Sequence, residues 1–373
     1  MPLVETQYAK LCKDGLALDS GVTIGPLTVA YETYGKLNKN KDNAIVVCHA
    51  LSGGAHAAGF SADAKKPGWW DVMIGPGKAF DTDRYFVICS NVLGGCYGTT
   101  GPSSIEPETN KPYGLRFPVI TIRDMVNLQA RLLDYFEIDK VLSVAGGSMG
   151  GMTALQWMVS YPQRLLSVIP IATTHRHSAQ QIAFNELSRQ AIMADPQWNN
   201  GNYYDNEGPR LGLAVARMTG HITYLSEPGM ERKFGRRLRQ RERNGYDFSK
   251  EFEVETYLQH QGQSFVERFD ANSLLYLTKA ADYFDLSNGF DSLTEAFRGC
   301  SAIALLIAFS SDWLYPPHQL KDVAKAIRRS GGDATYYEVS SDHGHDAFLL
   351  DYEKQSPLIK SFLERAQKCP TKI

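Results

Sequence analysis

Gly146-Gly147-Ser148-Met149-Gly150 is a G-x-S-x-G element with an apolar, strand-like run before it and a helix-like run after it. A serine hydroxyl is a weak nucleophile until a base takes its proton, so the chemistry open to Ser148 is transfer of an acyl group through an acyl-serine. The residue types follow from geometry. A serine on a tight strand-to-helix turn is held at strained backbone angles, so its neighbours must be small. The helix N-terminus behind it favours developing negative charge. The alternative, a structural glycine turn, leaves the agreement of strand, turn and helix unexplained.

The base and its acid must come later in the chain. Asp312 follows the apolar run ending at Phe309, and His345 follows the run ending at Val339, so nucleophile, acid and histidine occur in the order this element requires. His345 would act as general base and Asp312 as the anion fixing its tautomer. An Asp after a strand is commonly a cap; order and position together favour the catalytic role. His343 competes with His345, and spacing alone leaves the choice open. His49-Ala-Leu-Ser-Gly-Gly54 directly follows an early strand-like run. There, and at the residue after the nucleophile, an oxyanion would find its donors, which nominates the backbone N–H groups of Leu51 and Met149. A Gly-rich turn is compatible with the same residues.

The elements that must position these groups are short apolar runs alternating with longer amphipathic stretches. The strand-like runs are 44–48, 85–89, 140–145, 167–172, 302–309 and 334–339; helical periodicity covers 122–136 and 151–161, closed by Pro162. From about Ser178 to Asp291 the rhythm changes: no strand-like run occurs, and 179–194, 210–218 and 264–281 read as helices. The expected architecture is therefore an α/β-hydrolase fold, with a mostly parallel central sheet built from 1–177 and 292–373 and a helical lid inserted at 178–291.

Composition fits. In 373 residues, 43% are hydrophobic and 21% charged, so a sizeable core can form, and a net charge of −2 offers no field to recruit nucleic acid or an anionic membrane. No apolar run approaches the length of a membrane span. The N-terminus lacks the pattern of a secretory signal, and the six cysteines form no C-x-x-C pair; reduced thiols in a cytoplasmic protein are expected. The pairs His175/His177 and His343/His345 have no third ligand nearby in sequence, so no metal site is expected. Residues 232–243 carry seven basic side chains, which could meet phosphates but read more simply as a solvated face.

Further stretches carry a resemblance: Tyr31-Glu-Thr-Tyr-Gly35, His49-Ala-Leu-Ser-Gly53, Pro67-Gly-Trp-Trp-Asp71, Asn91-Val-Leu-Gly-Gly-Cys96, Ser178 to Glu186, Ala216 to Ser226, Arg268-Phe-Asp-Ala-Asn272, Ser311 to Pro317 and Gly344 to Leu349. In this order they make the chain similar, over nearly its whole length, to the homoserine O-acyltransferases of the α/β-hydrolase superfamily. The resemblance implies acyl transfer from a coenzyme A thioester to the hydroxyl of L-homoserine, an early step of methionine biosynthesis, with acyl-CoA as co-substrate and no resident cofactor. It selects His345, the histidine of Gly-His-Asp, over His343, and implies a homodimer paired through the lid. No independent role attaches to Cys96, Trp69 or Trp70.

Homoserine is a zwitterion, so its site needs a cation and an anion. Asp346 stands beside His345, where an unpaired carboxylate would be unfavourable unless a cationic substrate group meets it. Arg217 matches the lid arginine of the family and would take the carboxylate, with Tyr224 one or two helical turns further on. A surface arginine and a helix cap are the plainer alternatives. Members that look specific for succinyl groups carry an arginine two residues after the triad Asp. Here that residue is Leu314, which suits an acetyl group and implies acetyl-CoA. A homoserine O-succinyltransferase and, more distantly, a carboxylester hydrolase using the same triad are the competing readings.

Overall fold

The computed structural model describes residues 3–62, 66–240 and 242–368. Arg241 of the basic run and Cys369 lie outside them. Eight strands form the central sheet: β1 (Gln7–Leu11), β2 (Leu27–Tyr34), β3 (Ala44–Cys48), β4 (Phe86–Ser90), β5 (Ser143–Gly147), β6 (Ser167–Ile171), β7 (Ile303–Phe309) and β8 (Ala334–Val339). Their spatial order is β1-β2-β4-β3-β5-β6-β7-β8, and β2 alone runs against the rest.

β3, β5, β6 and β7 are buried along their whole length, as strands covered on both faces must be. Alternate side chains of β7 enter opposite layers: Ala304, Leu306 and Ala308 join one apolar cluster, Ile303, Leu305, Ile307 and Phe309 the other. The first layer is covered by α1 (Ile122–Tyr135), α2 (Met149–Ser160) and the helix Pro317–Arg329; the second holds Trp70, Phe80 and the inward face of Tyr352–Lys368. α1 starts at Thr121, whose hydroxyl accepts from Asp124 N–H while the Asp124 carboxylate accepts from Thr121 N–H.

All six expected strands are present, four of them with shifted ends, and the sheet has two more. β1 is an edge strand exposing Gln7, Tyr8 and Lys10, so its apolar face is short. β2 alternates with polar residues, among them Glu32, buried and accepting hydrogen bonds from Thr6, Tyr34 and His56. Its burial is stabilised by partners distant in sequence, which no local pattern reveals. β5 starts three residues later than expected and ends two later, because Pro170 pairs with Gly146 and Ile171 with Gly147, carrying the ladder into the turn.

Between β6 and β7 lie α3 (Ala179–Met193), α4 (Arg210–Tyr224), α5 (Glu227–Lys233), α6 (Glu253–Val266) and α7 (Ala271–Asp282), with no strand element among the described residues. α4 extends two turns past the expected Met218. The single helix expected over 264–281 is in fact the end of α6 and a separate α7, because Asp270 accepts from Ser273 N–H and so caps a new start. α7 buries Leu274, Leu277 and Ala280 in the same layer as α1 and α2, so the insertion shares the core of the sheet.

Candidate active site

Ser148 sits at the junction of β5 and α2 with φ 60° and ψ −125°, a conformation that a side chain rarely adopts. The surroundings hold it there. Its N–H donates to Ile171 O (3.0 Å), and its carbonyl accepts from Thr173 Oγ1 (2.7 Å) and Gly151 N–H (2.9 Å). A Cβ at Gly150 would strike the carbonyl of Cys48, and one at Gly147 would strike the Phe348 ring, so both glycines are required by close approach. Met149 opens α2, leaving its N–H without an intrahelical acceptor.

His345 Nδ1–H donates to Asp312 Oδ2 at 2.8 Å, and both side chains are almost fully buried. The other oxygen, Oδ1, accepts from Tyr315 N–H (2.9 Å). The rings of Tyr315, Phe348 and Tyr224 lie 5.1, 5.4 and 6.0 Å from that of His345 and pack around it, and Nε2 is the ring nitrogen outside the bond to Asp312. His343, the competing histidine, turns instead towards Asp351, 3.4 Å away.

One cavity gathers Ser148, Leu51, Met149, Arg217, Tyr224 and Leu314. His345 and Asp312 stand behind its wall, joined to it through Tyr224 and Tyr315. Leu51 is carried by a turn that His49 anchors: buried His49 donates from Nδ1 to Ala50 O (2.8 Å) and accepts at Nε2 from Val92 N–H (3.1 Å). Burial, against the bond to Ala50, lowers its pKa to about 4, which keeps it neutral. Trp69, stacked on the buried Trp70, donates to Gly54 O (3.0 Å) and braces the same turn, a role that sequence had not assigned.

The Arg217 guanidinium lies over the rings of Phe265 (4.7 Å) and Tyr224 (5.6 Å) and donates to Ser52 Oγ at 3.3 Å; its Nε is buried with no partner among the described residues. Asp346 is not on the cavity wall, but its carboxylate interacts electrostatically with Arg217 and Lys233 and is paired with neither. Burial raises its pKa, opposed by His345, Arg217 and Lys233. Burial likewise raises the pKa of Tyr224, against the pull of Arg217, so it stays a phenol. The arrangement is a buried serine on a strained turn, an oriented imidazole, and two opposite charges not paired with one another.

Other residues line the cavity without a role assigned from sequence, among them Ser52, His177, Asn185 and Tyr315. His177 had been weighed only as half of a metal pair. Asn185 lies within Ser178 to Glu186, a stretch already singled out but given no task. Among the described residues no group of three or more His, Cys, Asp or Glu is placed to hold a metal ion, and no helix is long and apolar enough to cross a membrane.

Residues 43–352 match the family described as the α/β-hydrolase fold. A homoserine O-acetyltransferase of Methanohalobium evestigatum is 57% identical over 360 residues, covering 96% of this chain and 73% of its relative. The chain belongs to the homoserine O-acetyltransferase family. A crystal structure of a homoserine O-acetyltransferase from Bacillus anthracis, 33% identical, superposes with a TM-score of 0.92 over 98% of this chain and 99% of that one. Esterase E22 is 31% identical and superposes at 0.88 over 97% and 100%. The scaffold of the homoserine O-acetyltransferases is thus close to that of an enzyme named for hydrolysis, and what distinguishes the two chemistries must lie in the cavity.

Proposed function

We propose that the protein transfers the acetyl group of acetyl-CoA to the hydroxyl of L-homoserine, giving O-acetyl-L-homoserine for methionine biosynthesis. The observation that carries this reading is the cavity itself, in which Ser148 shares its walls with a half-buried cation, Arg217, while Asp346, a carboxylate with no ion-pair partner among the described residues, stands next to His345. A zwitterionic acceptor answers both charges.

In the first half-reaction, His345 Nε2 takes the Ser148 proton as Oγ attacks the thioester carbonyl. The oxyanion is met by Leu51 and Met149 N–H, and the C–S bond breaks as the imidazolium returns its proton to the coenzyme A sulfur. In the second, the homoserine hydroxyl gives its proton to His345 and attacks the acyl-serine; the C–Oγ bond breaks as the imidazolium returns that proton to Oγ, and Ser148 and neutral His345 are regenerated. Arg217 holds the homoserine carboxylate, Asp346 its ammonium, and Tyr224 lines the acceptor site. Leu314 makes the acyl site apolar, which suits a methyl group and leaves a succinyl carboxylate unpaired. No resident cofactor is needed.

Residues 178–291 act as a lid that excludes water, so that the positioned hydroxyl outcompetes it. Two protomers pair through this lid: α4 exposes Leu211, Val215 and Ile222 along one side, which an aqueous surface does not favour. A reducing, cytoplasmic setting agrees with the free cysteines 12, 48, 89, 96 and 300.

The likeness to esterase E22 makes hydrolysis the second reading. Thiol release from acetyl-CoA separates the two: release that depends on added homoserine supports transfer, and equal release without it supports hydrolysis.

A further inference from the structure

A second buried Asp–His pair lies beside the first. His177, just after β6, approaches the Asp282 carboxylate at the end of α7 with Nδ1 (3.3 Å to Oδ1), and Asp282 also accepts from Asn185 Nδ2 (2.7 Å) and pairs with Arg189 (2.7 Å). These side chains are nearly as enclosed as those of Asp312 and His345. With Nδ1–H committed to Asp282, His177 Nε2 is an acceptor, and it lies 3.0 Å from the Tyr315 hydroxyl. Tyr315 in turn gives its backbone N–H to Asp312 and sets its ring 5.1 Å from that of His345. The mechanism above uses neither His177 nor Asp282, and a buried charged cluster without a task is an unfavourable thing for a cavity to keep.

The geometry points to Tyr315 as a positioning residue for the triad, its ring held against His345 by a hydrogen bond to His177 that Asp282 orients. The tyrosine bridges the two pairs. Its backbone fixes the carboxylate of one, its hydroxyl is fixed by the imidazole of the other, and the ring between them limits the tilt of His345. Burial raises the Tyr315 pKa, so the hydroxyl keeps its proton and remains the donor in this bond. Asn185 and Asp282 belong to helices of the insertion, so the insertion contributes to the alignment of the general base as well as covering the cavity. This assignment rests on acyl transfer through Ser148, because His345 has to serve both half-reactions.

Tyr315→Phe retains the ring and loses the tether. Acylation is followed as the burst of p-nitrophenol from p-nitrophenyl acetate, and the full cycle as homoserine-dependent thiol release from acetyl-CoA. Both rates should fall together by roughly three- to tenfold, the weight of one neutral hydrogen bond, with KM for homoserine and for donor unchanged. His177→Phe should match it, the double variant should lose no more than either alone, and His177→Gln, which can both accept from Tyr315 and donate to Asp282, should recover most of the rate. Wild-type rates in Tyr315→Phe, a loss confined to one half-reaction or to a KM, or additive losses would overturn the assignment. If Tyr315→Phe does not fold, the two His177 variants decide: equal rates in Phe and Gln reject it. A wild-type enzyme that shows the burst but no homoserine-dependent turnover would sink the acyltransfer reading instead, and the burst rate constants would still test Tyr315.

Discussion

Asp312 and His345, with 32 residues between them in sequence, meet through a single bond of 2.8 Å from Nδ1 to Oδ2, and that bond fixes the tautomer in which Nε2 carries the basic lone pair. Asp312→Asn would offer an amide N–H to Nδ1 and favour the wrong tautomer. The expected result is a loss of kcat on the order of 10⁴-fold with little change in fold, read by thiol release and circular dichroism. Ser148→Ala should abolish the acetyl adduct seen by mass spectrometry when wild-type protein is mixed with donor alone. An adduct on a cysteine would refute the assignment of the nucleophile.

Asp346→Asn and Arg217→Ala should raise the KM for homoserine and leave acylation of Ser148 nearly intact. Each removes a charged contact worth roughly 1.5–3 kcal/mol. Pre-steady-state acylation without homoserine separates the half-reactions, and failure there would move the residue from acceptor binding to support of the triad.

Asp346 also makes a prediction about stability. Its folded pKa is raised, chiefly by burial, so the folded state prefers the protonated carboxyl. A raised carboxyl stabilises the fold at low pH and loses that contribution as pH rises through the folded value. Asp346→Asn should therefore unfold at higher denaturant than wild type at neutral pH, with the gap closing below the ordinary Asp range near pH ~4. An Asn variant that is less stable at neutral pH would show that the carboxylate is already satisfied without substrate.

His49 has the opposite sign. Its pKa falls from 6.5 to about 4 on burial, so the unfolded chain binds a proton over a range where the folded one does not. Stability is full above pH 6.5 and should decline as pH drops towards 4, by about 1.4 kcal/mol per pH unit from this group. Urea titrations at a series of pH values read the slope, which His49→Asn should flatten.

Leu314→Arg should shift donor preference from acetyl-CoA towards succinyl-CoA, since a buried carboxylate needs a cation. The ratio of kcat/KM for the two donors decides it; wild-type preference for succinyl-CoA would overturn the acyl assignment and leave the triad untouched.

Leu211→Asp with Val215→Asp places two charges on the exposed apolar side of α4. Sedimentation should show a monomer where wild type is a dimer. A wild-type monomer would remove the proposed pairing.

The sequence by itself determined the parts whose cause is local. The elbow is legible because strand, small residues and helix occur together within one short segment, and the fully buried strands are legible as apolar runs. Asp312 and His345 could be nominated because this fold fixes their order along the chain. Tertiary structure decided what depends on distant partners. Spacing could not choose between His343 and His345; in the fold His345 is buried beside Asp312, whereas His343 lies beside Asp351. β2 was hidden because its polar Glu32 is satisfied by Thr6 and His56 from other segments. The helix expected over 264–281 is split by a cap at Asp270, a residue that also bonds Tyr203. His177, Asp282 and Tyr315 carry no common motif, and only tertiary packing sets the end of α7 and Tyr315 on either side of the His177 ring. Periodicity records which face of an element is buried, whereas the partner it meets there is fixed by packing between segments far apart in the chain.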